Sequence, residues 1–272
     1  MGGVSRIADS EYLPAIERTM QSFLTHPLTL RFLSFGLVLG LWEYGGRIPI
    51  SAGFPTLLET LAAMVEMIGD GSLLRALAIT CQPLFVGLLV SSLVGVALGV
   101  AMGLNRIVEW FGAPMFIVLQ AAPMAALVPL LVFAYGAGMT SKVLTVCIMA
   151  LPVIALNACN AVRHTPTSLV EMGQSFLGSR WQLVRRIILP AAAPVIFAGL
   201  RLGGAAGFIG AILAELLITP TGIGDLITFN QSIAEYPKMY AAILSVIVLS
   251  VLLIEAFERL ETTLVRPDKR VA

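Results

Sequence analysis

Residues Ala78-Ile-Thr-Cys-Gln-Pro-Leu-Phe-Val-Gly-Leu-Leu-Val-Ser-Ser-Leu-Val-Gly-Val-Ala-Leu-Gly-Val-Ala-Met-Gly103 run without one charged side chain. A helix rises 1.5 Å per residue, so about 20 apolar residues carry it through a hydrocarbon layer ~30 Å thick. The stretch lacks the strict two-residue alternation of a membrane barrel strand. Outward from it, comparable apolar runs recur at approximately 29–46, 111–135, 140–162, 191–218 and 239–258, which predicts six spans. The whole chain is 58% hydrophobic and 12% charged, against about 25% charged in ordinary soluble domains. A soluble core cannot absorb that much apolar surface. The chain reads as an all-α polytopic membrane protein, with one membrane domain over 29–262, flanking segments 1–28 and 263–272, and no convincing internal repeat.

Six spans put both termini on one side. That side then carries Arg6, Arg18, Arg106, Arg163, Arg180, Arg185, Arg186, Arg259, Arg266, Lys269 and Arg270, against Arg47, Arg75, Lys142 and Lys238 on the other. Lys and Arg concentrate on the cytoplasmic side, so the termini and the 163–190 loop are expected there. Residues 1–28 mix acidic, basic and apolar positions, and no cleavable signal is expected. Phe54 to Leu77 has helical apolar spacing and reads either as an amphipathic surface helix or as a packed connector. Cys81, Cys147 and Cys159 lie in apolar runs without metal-ligand spacing and read as small packing residues. A net charge of +1 and no clustered basic face set nucleic acid aside as a partner.

Gly87, Ser91, Gly95, Gly99 and Gly103 recur every fourth residue, a strip along which another helix backbone can approach closely. Gln120, Pro123 and Pro129 in the third span, and Pro152, Asn157 and Asn160 in the fourth, read as a lined pathway or as plain kinks. In the fifth span Arg201, Gly204, Phe208, Ala211 and Glu215 share one helical face, the two charges about 21 Å apart. Intramembrane charges usually face a bundle interior or a water-filled cavity, which makes both candidate pathway groups; snorkelling is the alternative for Arg201.

After the fourth span the chain reads Glu171-Met-Gly-Gln-Ser-Phe-Leu-Gly178-Ser-Arg180-Trp-Gln-Leu-Val-Arg185-Arg186-Ile187-Ile-Leu189-Pro190. Local rules predict a short amphipathic helix, a glycine break, and a second helix stopped by Pro190. Phe176, Leu177 and Trp181 offer apolar contacts that a loop rarely displays without a partner or helices of its own to cover them.

This stretch resembles the EAA loop of ABC importer permeases: Glu-Ala-Ala, three residues, Gly, nine residues, then Ile-x-Leu-Pro. Glu171, Ile187, Leu189 and Pro190 match; Met172 and Gly173 replace the alanines, Leu177 takes the glycine position, and Gly178 follows it. The shifted glycine is expected to move the break between the two short helices, with Gly178 setting the loop's shape and Glu171 stabilising its helix N-terminus. The likeness extends over about residues 75–230 and is closest to the nitrate, sulfonate, taurine and bicarbonate permeases. Ala122 to Leu130, Tyr135 to Gly138, Ser141-Lys142, Gly199 to Leu202, Ala214-Glu215-Leu and Gly222-Ile-Gly224 resemble family segments in order.

The resemblance implies a type I ABC importer permease of the bacterial inner membrane: a homodimer served by two cytoplasmic ATPase subunits and an external solute-binding protein, moving a small organic or inorganic anion. It places ATPase coupling on Glu171, Leu177, Gly178, Arg180, Ile187, Leu189 and Pro190. The pathway candidates are Gln120, Pro123, Asn157, Arg201 and Glu215. No Gly-x-x-x-x-Gly-Lys-Ser/Thr phosphate loop occurs, so this chain is expected to hold no cofactor, with ATP and Mg on the partner ATPase. An ion-coupled secondary transporter, with Glu215 as a proton site, is the competing reading. An intramembrane enzyme is disfavoured, since His26 and His164 are the only histidines and no His-Glu-x-x-His motif occurs.

Overall fold

A computed structural model describes residues 27–48, 53–218 and 221–264. Arg6, Arg18, Arg266, Lys269 and Arg270, which weighed in the charge asymmetry, lie outside the described residues. Among the described residues every regular element is helical. The chain forms two compact units, Met1–Ala62 and Ala63–Ala272.

In the first unit, α1 (Pro27–Arg47) leads to α2 (Leu57–Gly69), which continues into the second unit. Thr56 and Glu59 close a reciprocal cap on α2: the Thr56 amide donates to Glu59 Oε2 at 2.9 Å and the Glu59 amide to Thr56 Oγ1 at 3.2 Å. Trp42 Nε1 donates to the Pro55 carbonyl at 3.2 Å, folding the connector back on α1.

The second unit holds α3 (Ser72–Leu104), α4 (Arg106–Ala121), α5 (Met124–Tyr135), α6 (Met139–Arg163), α7 (Thr167–Ser175) and α8 (Arg180–Leu183). A π-helical turn (Val184–Ile188) then leads into α9 (Leu189–Ile218), followed by α10 (Ile223–Ser232) and α11 (Tyr236–Leu264). Among the described residues four helices are long and apolar enough to cross a membrane: Ser72–Leu104, Met139–Arg163, Arg180–Ile218 and Tyr236–Thr263. The pair α4 and α5 makes a fifth if counted as one broken span. The expected six are not reached, because α1, though 21 residues long, dilutes its apolar run with Arg31, Glu43, Arg47 and four glycines. The even count that placed both termini on one side therefore rests on α1.

The third expected span is not one helix. Its halves meet at 99° across Ala122–Pro123. Proline disfavours helical geometry in the residue before it, and Ala122 is extended at φ −66°, ψ 136°. Pro123 then serves as the cap of α5, where its missing N–H leaves no helical bond unmade.

At the centre, α6 is flanked by α3 and α9. The four-residue strip of α3 is the seam with α6: a methyl on Gly87 would meet Val146, on Gly95 Ile154, and on Gly103 Val162. Gly203, Gly207 and Gly210 of α9 make the matching approach to α6 from the other side. Leu84, Leu88, Val146, Ala150, Ile154, Phe208 and Ala211 close the core between them. Gly99 is the tightest point of the α3 strip, since a Cβ there would lie 2.5 Å from both the Ala155 carbonyl oxygen and the Ala158 methyl. Backbone cannot yield as a flexible side chain does, so Gly99→Ala is expected to destabilise by about 1–3 kcal/mol, read as a shorter half-life of the detergent-solubilised protein on heating.

From Ala63 on, the Phe54–Leu77 connector is packed rather than lying free: Ala63, Met67 and Leu73 bury against Ala241 of α11. The cysteines are free thiols. Cys159 packs with Met102 and Ala155, and Cys147 Sγ donates to the Gly87 carbonyl at 3.5 Å.

Candidate functional site

The 163–190 loop is built from helix-end rules. The Gly178 amide donates to the Gly173 carbonyl (3.2 Å) and the Leu177 amide to the Gln174 carbonyl (2.8 Å). These are the paired bonds of a Schellman helix end, which requires a left-handed residue between them. That residue is Leu177, at φ +55°. The left-handed conformation thus falls to a leucine, with the glycine one residue further on. Gly178 serves by its smallness, because a Cβ there would stand 2.9 Å from the Gly173 oxygen. Gly173, in place of the usual alanine, is buried where Leu183 and Ile187 close over it, within 2.5 Å of any Cβ.

A left-handed non-glycine residue carries about 1–2 kcal/mol of strain, and glycine returns roughly 0.5–1 of that in backbone entropy. Leu177 is 93% exposed. Leu177→Gly is thus expected to leave fold stability unchanged or raised by up to about 1 kcal/mol, measured by thermal inactivation in detergent.

Ser179 restarts the helix with a full capping box: its hydroxyl accepts from the Gln182 amide and Gln182 Oε1 accepts from the Ser179 amide. Pro190 does not stop the second helix. Helix continues from Arg180 to Ile218, 39 residues, passing the proline through the π turn. There the Leu189 amide reaches back to the Val184 carbonyl, the wider ring that accommodates a residue lacking an N–H. Glu171 lies in the middle of α7 rather than in its first turn, so its expected capping role is not seen. The product is a knob whose inner side holds Gly173 and Leu183, and whose outer side displays Phe176 (81% exposed), Leu177 and Trp181 (68%). Arg180 and Arg185 are exposed beside them, while Ile187 and Leu189 are half-buried at its base.

The pathway candidates are not gathered in one place. Gln120 is exposed at the end of α4, and Pro123 is exposed at the break. Asn157 is half-buried, donates to the Val153 carbonyl at 2.8 Å, and packs on Gly199 of α9. Arg201 pairs with Glu261 of α11, which buries that carboxylate.

Glu215 has a different setting. Its side chain is wholly enclosed by its own subunit and forms a salt bridge with Lys142 Nζ at 3.4 Å. Thr80 Oγ1 donates to Oε2 at 2.8 Å, and the Gly224 amide donates to the same oxygen at 3.1 Å. Lys142 also donates to Thr221 Oγ1 (2.9 Å) and to its carbonyl (3.3 Å), while Thr80 accepts from the Ile223 amide. Helices α3, α6 and α9 and the start of α10 are joined at this carboxylate. The chain can come this close only because Gly222 and Gly224 lack side chains; a Cβ would lie 2.2 Å and 2.6 Å from Glu215 atoms, respectively. In this conformation neither Arg201 nor Glu215 presents a free charge to a pathway: one is tied to α11 and the other knots four elements. Thr80 and Glu261 were not foreseen. Thr80 carried no signal in an apolar run, whereas Lys142 signalled a need for a carboxylate by standing two residues inside another.

Solved structures share this architecture. The chain superposes on the methionine ABC transporter MetNI in an inward-facing conformation with a TM-score of 0.55 at 21% identity, covering 71% of this chain and 94% of that one. An amino acid ABC transporter matches with a TM-score of 0.60 at 14% identity, over 75% and 98%. Residues 91–265 match the family of binding-protein-dependent transport system inner membrane components, and the chain belongs to that family. Relatives include the riboflavin transport permease RibX of Chloroflexus aurantiacus (34% identical, 57% of this chain), of whose length the chain spans 58%. The aliphatic sulfonates permease SsuC of Bacillus subtilis is 28% identical over 76% of each chain. The taurine permease TauC of Escherichia coli is 27% identical over 78% of this chain and 79% of that one. The chain is an ABC importer permease, a transport subunit rather than an enzyme.

Proposed function

We propose that this chain forms the translocation pathway of an ATP-driven importer for a small solute, an organic or inorganic anion such as a sulfonate or nitrate. Relatives named for sulfonates, taurine and nitrate support the solute class. The observation that carries the ATP-driven reading is the knob between Thr167 and Pro190: Phe176, Leu177 and Trp181 stand in solvent on a frame of two interlocked caps and a continuous helix. An exposed apolar cluster calls for a partner surface. That partner is a cytoplasmic ABC ATPase carrying ATP and Mg, bound to each of two permease copies, with the loop and both termini on the cytoplasmic side and a solute-binding protein on the other. Closure of the ATPases would move the knob as a rigid body and, through α6 and the 39-residue helix, switch the access of a pathway running past Gln120, Pro123 and Asn157.

Uptake into right-side-out membrane vesicles loaded with ATP and supplied with the solute-binding protein separates this from ion-coupled transport. Transport that persists after the ion gradients are collapsed, while ATP lasts, is the expected result. Transport that stops with the gradient while ATP is abundant overturns the proposal.

A further inference from the structure

Helix α4 is lightly embedded: none of its residues is fully buried. Along its length it packs on α3 and α6, with Phe116 against the Met102–Ala155–Cys159 cluster and Gly112 beside the Met102 sulfur. It is also held at its start. Asn105 caps it, accepting from the Ile107 amide at 2.9 Å, and one turn later Glu109 forms an ion pair with Arg163. Arg163 is the last residue of α6, and the docking loop begins immediately after it. At its far end α4 stops at Gln120–Ala121, directly before the 99° break.

From these placements we infer that the Glu109–Arg163 pair is a transmission link, carrying displacement of the docking loop's root into α4 and so to the break at Ala122–Pro123. The inference rests on the ATPase-docking reading above. Glu109 and Arg163 are positioning residues; neither touches solute or nucleotide. A structural stabiliser is the alternative role, and the exposure argues against it. The two side chains are 20% and 39% exposed, and ion pairs open to solvent add little to fold stability. Their value lies in tying the start of α4 to the last residue of α6, where the docking loop begins. Glu109 to Gln120 spans roughly 17 Å along the helix axis, so a small tilt imposed at the pair becomes a larger displacement at the break. The route through the π turn into α9 is a second one, which leads to Glu215 and also to α5 beyond the break.

The test uses the permease–ATPase complex in lipid nanodiscs, with Cys81, Cys147 and Cys159 replaced and Gln120→Cys introduced. The rate of reaction of this thiol with a water-soluble maleimide is compared without nucleotide and with ATP plus vanadate. The unaltered pair is expected to show a nucleotide-dependent change in rate. Glu109→Arg and Arg163→Glu are each expected to lose that change while the ATPase still co-purifies and hydrolyses ATP, and the double variant with both charges exchanged is expected to regain it. The link is overturned if the single reversals keep the full change, if the exchanged pair fails to restore it, or if the rate never responds to nucleotide in the unaltered complex. Absence of any co-purifying ATPase would overturn the docking reading together with this one.

Discussion

Glu215→Gln is expected to destabilise the protein by roughly 3–5 kcal/mol, because it leaves the Lys142 ammonium buried with no opposing charge. The glutamine keeps the shape and an oxygen that accepts from Thr80 and Gly224, so the loss isolates the charge from the hydrogen bonds. Lys142 is only 5% exposed. The control is the double variant Lys142→Met with Glu215→Gln. With neither charge present, most of the loss is expected to be recovered, since replacing both members of a buried pair is often near neutral. Thermal inactivation half-lives in detergent give the measurement, an operational scale suited to proteins that unfold irreversibly. Equal damage from the single and double variants would show that Lys142 and Glu215 do not depend on one another.

Trp181→Asp and Phe176→Asp are each expected to weaken association with the ATPase by at least about 2 kcal/mol, roughly thirtyfold in Kd, as for aromatic anchors at interface centres. Neither change reaches the core, since both side chains are exposed, and permease stability is expected to hold. Leu177→Gly separates two properties of one residue. It relieves the left-handed strain at little loss of internal packing, yet removes a side chain offered to the partner, so a more stable permease that binds its ATPase less tightly is the expected pairing. Binding to immobilised permease, read alongside the thermal half-life, reports both.

The fold class was legible because apolar run length and charge depletion are one-dimensional signals. The α3 strip likewise announced its seam, since a four-residue repeat of small side chains needs no partner sequence to be understood. The break at Ala122–Pro123 was visible as a proline but not as an angle: whether a proline kinks a helix or divides it depends on what packs on either side. Pro190 misled for a related reason. Local rules end a helix there, whereas the chain continues through a π turn that no local signal announces. The loop's exposed residues were readable because a helix end, a capping box and unsheltered aromatics are all local. Glu215 was found and its role was not, because its partners Thr80, Lys142 and Gly224 lie 135, 73 and 9 residues away in the chain. The pairing exists only once four elements have met.

The docking claim is tested most directly by purifying the tagged permease from its native membrane in mild detergent, then identifying and assaying whatever stays bound. An ATPase that co-purifies with the unaltered chain and is lost from the Trp181→Asp variant is the predicted result; a permease that comes out free of ATPase and still transports in vesicles would contradict it.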